Sequence, residues 1–319
     1  MTTVRAHQLS PEEFWAQGGT GTILAKHGKT FNWARRFLGQ GQGDKAARLY
    51  AFCRYLDDIA DGDVNGGSAA LTNIQDMLAQ KQAVDDPVVA QFMGFAEVTG
   101  IDFAVLDALL DGLIQDQSVV LLDSRRDLLR YAYRVAGTVG LMMCDVLECD
   151  DPEAKPFAID LGIAMQLTNI ARDVLADAEM DRRYLPARWC MNLRPIQIRM
   201  AGNASETENR LLIQTAMEEI LDMAEAYYVS GFQGLAYLSP RAQLAIGVAG
   251  QAYREIGEKI RRNGFRFWEG RIVVTPAEKV LRSIDSLSYF KNRFAKTDCH
   301  DMSLHADLEG LPYVSNQRA

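Results

Sequence analysis

Two pairs of aspartates four residues apart, Asp57 with Asp61 and Asp173 with Asp177, interrupt stretches that are otherwise mostly apolar, LYAFCRYLDDIADG and LGIAMQLTNIARDVLAD. Residues i and i+4 stack on one face of an α-helix, so each pair aims two carboxylates in one direction from a helix built for burial. If those faces meet, like charges ~6 Å apart at an effective dielectric of ~20 repel by roughly 3 kcal/mol per pair. A chain that carries this repulsion into its interior needs cations there. Hard oxygen ligands favour Mg2+, which takes only one or two carboxylates and completes its shell with water and substrate phosphate. The pattern predicts helices that converge on a site for a phosphorylated substrate.

The rest of the chain reads as helix from end to end. Ser10-Pro11 with Glu13, Asp151-Pro152-Glu153, Ser239-Pro240 and Thr275-Pro276 each set a capping residue beside a proline at the expected first helical position. Asn263-Gly264 supplies a stop for the helix that begins after Ser239. Strand signals are few, and Arg271 to Thr275 is the best of them. No linker divides the 319 residues, so the expectation is one all-α domain over residues 1–295, followed by a loose tail, 296–319, that is poor in apolar residues.

Composition narrows the function classes. A net charge of −8 and a pI near 5.2 argue against nucleic acid, which calls for a basic surface. Anionic substrates must then be held locally, by cations and chosen arginines. Five cysteines without a CxxC pair, and no apolar leader at the N-terminus, point to a reduced, cytoplasmic setting. No run of 18 apolar residues exists to span a bilayer, which leaves surface contact with a membrane open.

Around the first aspartate pair, Tyr50, Arg54, Asp57 or Asp58, and Asp61 form a polar stripe, with Leu49, Phe52, Leu56 and Ile59 on other faces. Such a stripe suits a helix lining a cavity; it also suits a solvated face on which Arg54 bridges an aspartate one turn on. The second stretch favours the cavity, because Asn169, Asp173 and Asp177 fall at i, i+4 and i+8, with Gln166 one turn earlier and Arg172 alongside. Amide carbonyls serve as hard-cation ligands or orienters, and a guanidinium fork suits diphosphate oxygens. Arg182, Arg183 and Tyr184 follow closely behind and are placed to close over a phosphate.

These residues resemble a known family. LGIAMQLTNIARDVLADAEMDRRYLP is similar to the second signature of the squalene and phytoene synthases, DDIAD resembles their first aspartate-rich motif, YAYRVAGTVG at Tyr131 to Gly140 another signature, and KHGKTF at Lys26 to Phe31 their N-terminal segment. The resemblance implies an isoprenoid-synthase-type helical bundle around a central apolar cavity, and a head-to-head prenyltransferase. On the matching positions it implies Mg2+, with Mn2+ as a substitute, held by Asp57, Asp58, Asp61, Asn169, Asp173 and Asp177. Tyr50, Arg54, Tyr131, Gln166 and Arg172 would act in catalysis, with Tyr131 facing a carbocation. His27, Lys29, Phe31, Arg182, Tyr184 and Tyr253 would bind the isoprenoid diphosphates. One departure stands out: AEMD lies between Asp177 and Arg182 where relatives commonly carry a glycine-containing loop.

By the same resemblance, one geranylgeranyl diphosphate ionises and its C1 alkylates the 2,3-double bond of a second to give a cyclopropyl diphosphate. A second ionisation, rearrangement and proton loss then yield phytoene without NADPH. The alternatives are a squalene, dehydrosqualene or presqualene diphosphate synthase acting on farnesyl diphosphate; a chain-elongating prenyltransferase or terpene cyclase, which lacks the QLTNIARD and RxYLP combination; and a non-catalytic relative serving as an assembly factor, which would have shed its carboxylates. Small side chains at Ala136, Gly137, Val139 and Gly140 would leave room for an isoprenoid or bring helices close.

Three decoys remain. GKT at Gly28 to Thr30 lacks the P-loop's earlier glycine, since Ile23 stands there. Cys299, His300 and His305, beside Asp298 and Asp301, have a faint transition-metal look in what reads as a solvated tail. The stretches RWCMNLRPIQIRM and GFRFW at Gly264 to Trp268 suit either a membrane surface or interior packing.

Overall fold

The computed structural model describes residues 17–60, 67–80, 86–117, 119–202, 207–287 and 299–314. Within them the chain is a helical bundle, with α1 Gln17–His27, α2 Lys29–Arg35, α3 Gln40–Ala60, α4 Gly67–Ala79, α5 Pro87–Thr99, α6 Phe103–Gln115, α7 Arg125–Ala132, α8 Thr138–Val146, α9 Ala154–Glu179, α10 Pro195–Gly202, α11 Thr207–Gln233, α12 Pro240–Arg262 and α13 Pro276–Asp285. A π-helical turn, Tyr133–Gly137, joins α7 to α8 without a break. No strand occurs among the described residues. Leu121 and Arg183 make one isolated parallel bridge, and Arg271 to Thr275, the expected strand, is unpaired chain.

The helix starts follow from local chemistry. Thr275 and Glu278 form a reciprocal capping box at α13, and Pro240 takes the first position of α12, where a missing N–H costs nothing. Gly264 then adopts φ +65 just past the end of α12, as a C-terminal stop requires. At Asp151 the chain differs from expectation. Asp151 accepts the Glu153 N–H at 2.9 Å, and this local turn delays the helix to Ala154. The Ser10-Pro11 signal lies outside the described residues.

The 26-residue α9, about 39 Å long at 1.5 Å per residue, is the central member. It packs against α8, the π turn, α10, α11 and α12. Two approaches are too close for any side chain: a Cβ on Gly162 would run into the Ala136 carbonyl, and one on Gly140 into the Ala158 carbonyl. Glycine at both positions lets α9 lie against the π turn and α8.

Residues 299–314 correct the loose-tail expectation. They dock on the bundle, burying His305, Leu308 and Leu311. The Tyr227 hydroxyl donates to the Leu304 carbonyl at 2.6 Å, Tyr133 donates to the Pro312 carbonyl, and Arg130 donates to the Glu309 carbonyl at 2.9 Å. Few apolar residues were needed, because polar side chains of the bundle meet the segment's backbone. In RWCMNLRPIQIRM, Cys190, Leu193 and Ile198 are buried while Met191, Ile196 and Met200 are exposed. In GFRFW, Phe267 is buried and Arg210 stacks 4.1 Å over Trp268. No described helix is long and apolar enough to cross a membrane.

Candidate active site

Helices α3 and α9 bring their polar stripes to one chamber of about 230 Å³, whose wall includes Arg54 and Asp57 from α3, Gln166, Asn169, Arg172, Asp173 and Asp177 from α9, and Tyr131, Arg182 and Tyr184. An apolar cavity of about 330 Å³ adjoins it, sharing Asp57, Gln166 and Asn169 as wall and continuing along Phe31, Tyr50, Val135, Ala136, Val139, Gly140, Phe157, Leu161 and Tyr253. A polar chamber lined by carboxylates and arginines thus opens on an apolar cavity. Phe31 stands between Tyr50 and Tyr253, with ring centroids 5.8 and 5.5 Å away.

Three expected residues stand elsewhere. Asp58 is 1% exposed and lines neither cavity; its carboxylate takes the Arg54 guanidinium at 2.5 Å. It turns away because a helical residue next to Asp57 points about 100° around the axis. His27 and Lys29 also line neither cavity, and Lys29 is exposed. Asp61 falls outside the described residues. Gly137 does not line the cavity but packs against Tyr133 and Ile159.

The electrostatics are uneven. Burial would raise the Asp173 carboxyl, but the adjoining guanidiniums hold it below the ordinary range. Arg172 reaches Asp173 at 2.9 and 2.5 Å, and Arg271 forks onto the same carboxylate at 2.9 and 3.0 Å. Asp177 is pushed up to about 7, first by burial and then by the Asp173 charge, against the opposing pull of Arg182. One carboxylate is therefore neutralised by arginines while its neighbour one turn on carries the unmet repulsion.

The donor set fits a hard divalent cation. Every candidate ligand offers oxygen, and the Asn169 Oδ1 is buried with no hydrogen-bond partner while its amide N–H donates to Gln166 at 3.3 Å. A buried amide oxygen that no protein donor meets, set among carboxylates, fits the role of a hard-cation ligand.

Two members escaped the sequence reading. Asp116, at the end of α6, accepts the Tyr131 hydroxyl at 2.7 Å and the Tyr184 hydroxyl at 2.8 Å. This one carboxylate fixes both rings, which stack with centroids 4.7 Å apart. Arg271 is the other, on unpaired chain 98 residues beyond Asp173. Arg183 differs from its neighbour Arg182: it is 1% exposed and donates to the Leu122 carbonyl and Asn192, bracing the loop instead of facing the chamber. The turn without glycine is made by Asp181 at φ +59, a conformation that aspartate tolerates, and it lets the Arg182 N–H reach the Asp177 carbonyl at 2.9 Å.

The sequence profile of squalene/phytoene synthases matches residues 24–278. The chain belongs to this family. A phytoene synthase from Pseudescherichia vulneris is 35% identical over 272 residues, covering 81% of this chain and 86% of that protein. A 15-cis-phytoene synthase from Enterobacter agglomerans is 34% identical, with 79% and 88% covered. Among solved structures, a dehydrosqualene synthase in complex with ligand superposes with a TM-score of 0.75 at 26% identity, over 89% of this chain and 100% of that one. This family member is thus an all-α enzyme of the isoprenoid-synthase fold, as its motifs implied.

Proposed function

We propose that this prenyltransferase is a phytoene synthase, joining two geranylgeranyl diphosphates head to head. The reading is supported by relatives named phytoene synthase at 34–35% identity, and the observation that carries it is the polar chamber and apolar cavity sharing Asp57, Gln166 and Asn169 as wall. Asp57, Asn169, Asp173 and Asp177 would hold Mg2+, which supplies charge neutralisation at the departing diphosphate.

The chain's own groups do the rest. Arg54, Arg172 and Arg182 line the chamber and bind diphosphate oxygens through charge-assisted hydrogen bonds. Arg172 stays cationic: burial works against its charge, and hydrogen bonding to Asp173 more than compensates. Burial holds the Tyr131 hydroxyl far above its ordinary range, so it remains a neutral donor to Asp116 and its ring face is offered to a carbocation. Aliphatic and aromatic walls exclude water from that cation until a proton is lost.

The test is to incubate purified protein and Mg2+ with geranylgeranyl or farnesyl diphosphate, with and without NADPH. Phytoene from the C20 substrate without NADPH, abolished by EDTA, is expected. Products of C30 alone would overturn the assignment. Contact with a membrane surface, where such a product partitions, belongs to the same proposal and is read from co-sedimentation with vesicles.

A further inference from the structure

Two of the chain's four histidines converge on a buried aspartate far from the catalytic chamber. His300 Nε2 lies 2.7 Å from Asp160 Oδ2 and His305 Nε2 lies 2.8 Å from Asp160 Oδ1, with side-chain exposures of 6%, 2% and 0% for His300, His305 and Asp160. The two rings are 4.4 Å apart, and the three donor atoms lie within 4.8 Å of one another. Asp160 precedes Asp173 by 13 residues on α9, roughly 20 Å along the helix axis. None of the three residues lines either cavity.

We propose that Asp160, His300 and His305 form a second metal site, for Zn2+ or a similar transition ion, that staples the C-terminal segment to the bundle. The donor set is two imidazole nitrogens and a carboxylate, which suits zinc and not the Mg2+ of the oxygen-lined chamber. Four residues separate His300 from His305, a spacing common in paired zinc histidines, and here a 3-10 turn, Met302–Leu308, returns the second imidazole to the same carboxylate. Ser230 from α11 donates to Asp160 Oδ2 at 2.5 Å, the kind of outer support that orients a ligating carboxylate.

Binding requires only a small adjustment. Ligands at about 2.0–2.1 Å from a tetrahedral ion stand about 3.3 Å apart; the three donor atoms already lie within 4.8 Å of one another, so side-chain shifts within the cluster bring one carboxylate oxygen and both imidazole nitrogens to that spacing, and water completes the shell. Ligation through Nε2 moves each ring proton to Nδ1. At His300 that atom is buried without a hydrogen-bond partner, so the two coordinate bonds of the histidines must outweigh one unmade hydrogen bond.

Metal analysis of the full chain, stripped with chelator and reloaded with Zn2+ alone, tests this directly. One equivalent retained through desalting is expected in the wild type, and Co2+ in its place should give visible d–d absorption of a low-symmetry site. His305→Ala and Asp160→Asn should each lower the retained metal at least tenfold, and Zn2+ should slow proteolytic removal of the C-terminal segment in the wild type but not in these variants. Wild-type protein that retains no Zn2+ and gives no Co2+ band would overturn the proposal and leave a hydrogen-bonded Asp–His cluster. Because the wild type alone decides that outcome, misfolding of a variant does not obscure it.

Discussion

Replacing Asp177 by asparagine should make the metal-free protein more stable while destroying its activity. The Asp177 carboxyl stands near 7 against an ordinary 3.8, so between those values the folded state binds more protons than the unfolded chain. Stability contributed at this position is therefore highest in acid, falls as pH rises past about 4, and levels off above about 7. At 1.36 kcal/mol per pH unit the full shift corresponds to about 4 kcal/mol, and partial contact with solvent reduces this to about 2–4 kcal/mol at pH 8. For a chain of 319 residues with an unfolding entropy of about 2.1 cal/mol/K per residue, the gain is about 3–6 °C in Tm. Asp177→Asn removes the charge at nearly constant volume. Calorimetric melts in EDTA should show the variant above wild type at pH 8, with less than half of that free-energy advantage left at pH 5. Addition of Mg2+ with a diphosphate should then raise the wild type and not the variant. A variant no more stable than wild type at pH 8, or an increment equal at the two pH values, would refute the reasoning.

Other substitutions probe the rest of the site. Asp57→Ala and Asp173→Ala should each reduce phytoene formation at least 1,000-fold, and the second should also lower stability by about 1–3 kcal/mol because the largely buried Arg172 loses its partner; product assays and melts check both. Asp116→Asn, which weakens the hold on Tyr131 and Tyr184, should lower kcat about 10- to 100-fold with a smaller change in KM, read in steady-state assays. Gly162→Ala, forced against the Ala136 carbonyl, should cost about 1–3 kcal/mol in denaturant melts.

What could be read from sequence was what repeats on a helix. The stripes through Asp57 and through Asn169, Asp173 and Asp177 were visible because burial and spacing act within one element, and the proline starts at Pro240 and Pro276 because capping is local. The choice between Asp57 and Asp58 was not, since either can lie beside the stripe until tertiary packing fixes the helix rotation. Asp116 has no carboxylate one turn away to mark it, and its tyrosine partners lie 15 and 68 residues on. Arg271 gives no periodic signal from an irregular segment. The docking of residues 299–314 escaped for a related reason: it depends on Tyr227, Tyr133 and Asp160, all distant in sequence, and not on an apolar face of its own.

The π turn at Tyr133–Gly137 sets the rotational phase of everything after it. In an uninterrupted α-helix, residues eight apart drift by about 80° around the axis. The wider i to i+5 turn absorbs part of that drift, so that Tyr131 lines the polar chamber while Val135, Val139 and Met143 line the apolar cavity adjoining it. A single extra residue in that turn acts as a spacer ring: it keeps the Tyr131 ring on the polar chamber in phase with the side chains that wall the apolar cavity.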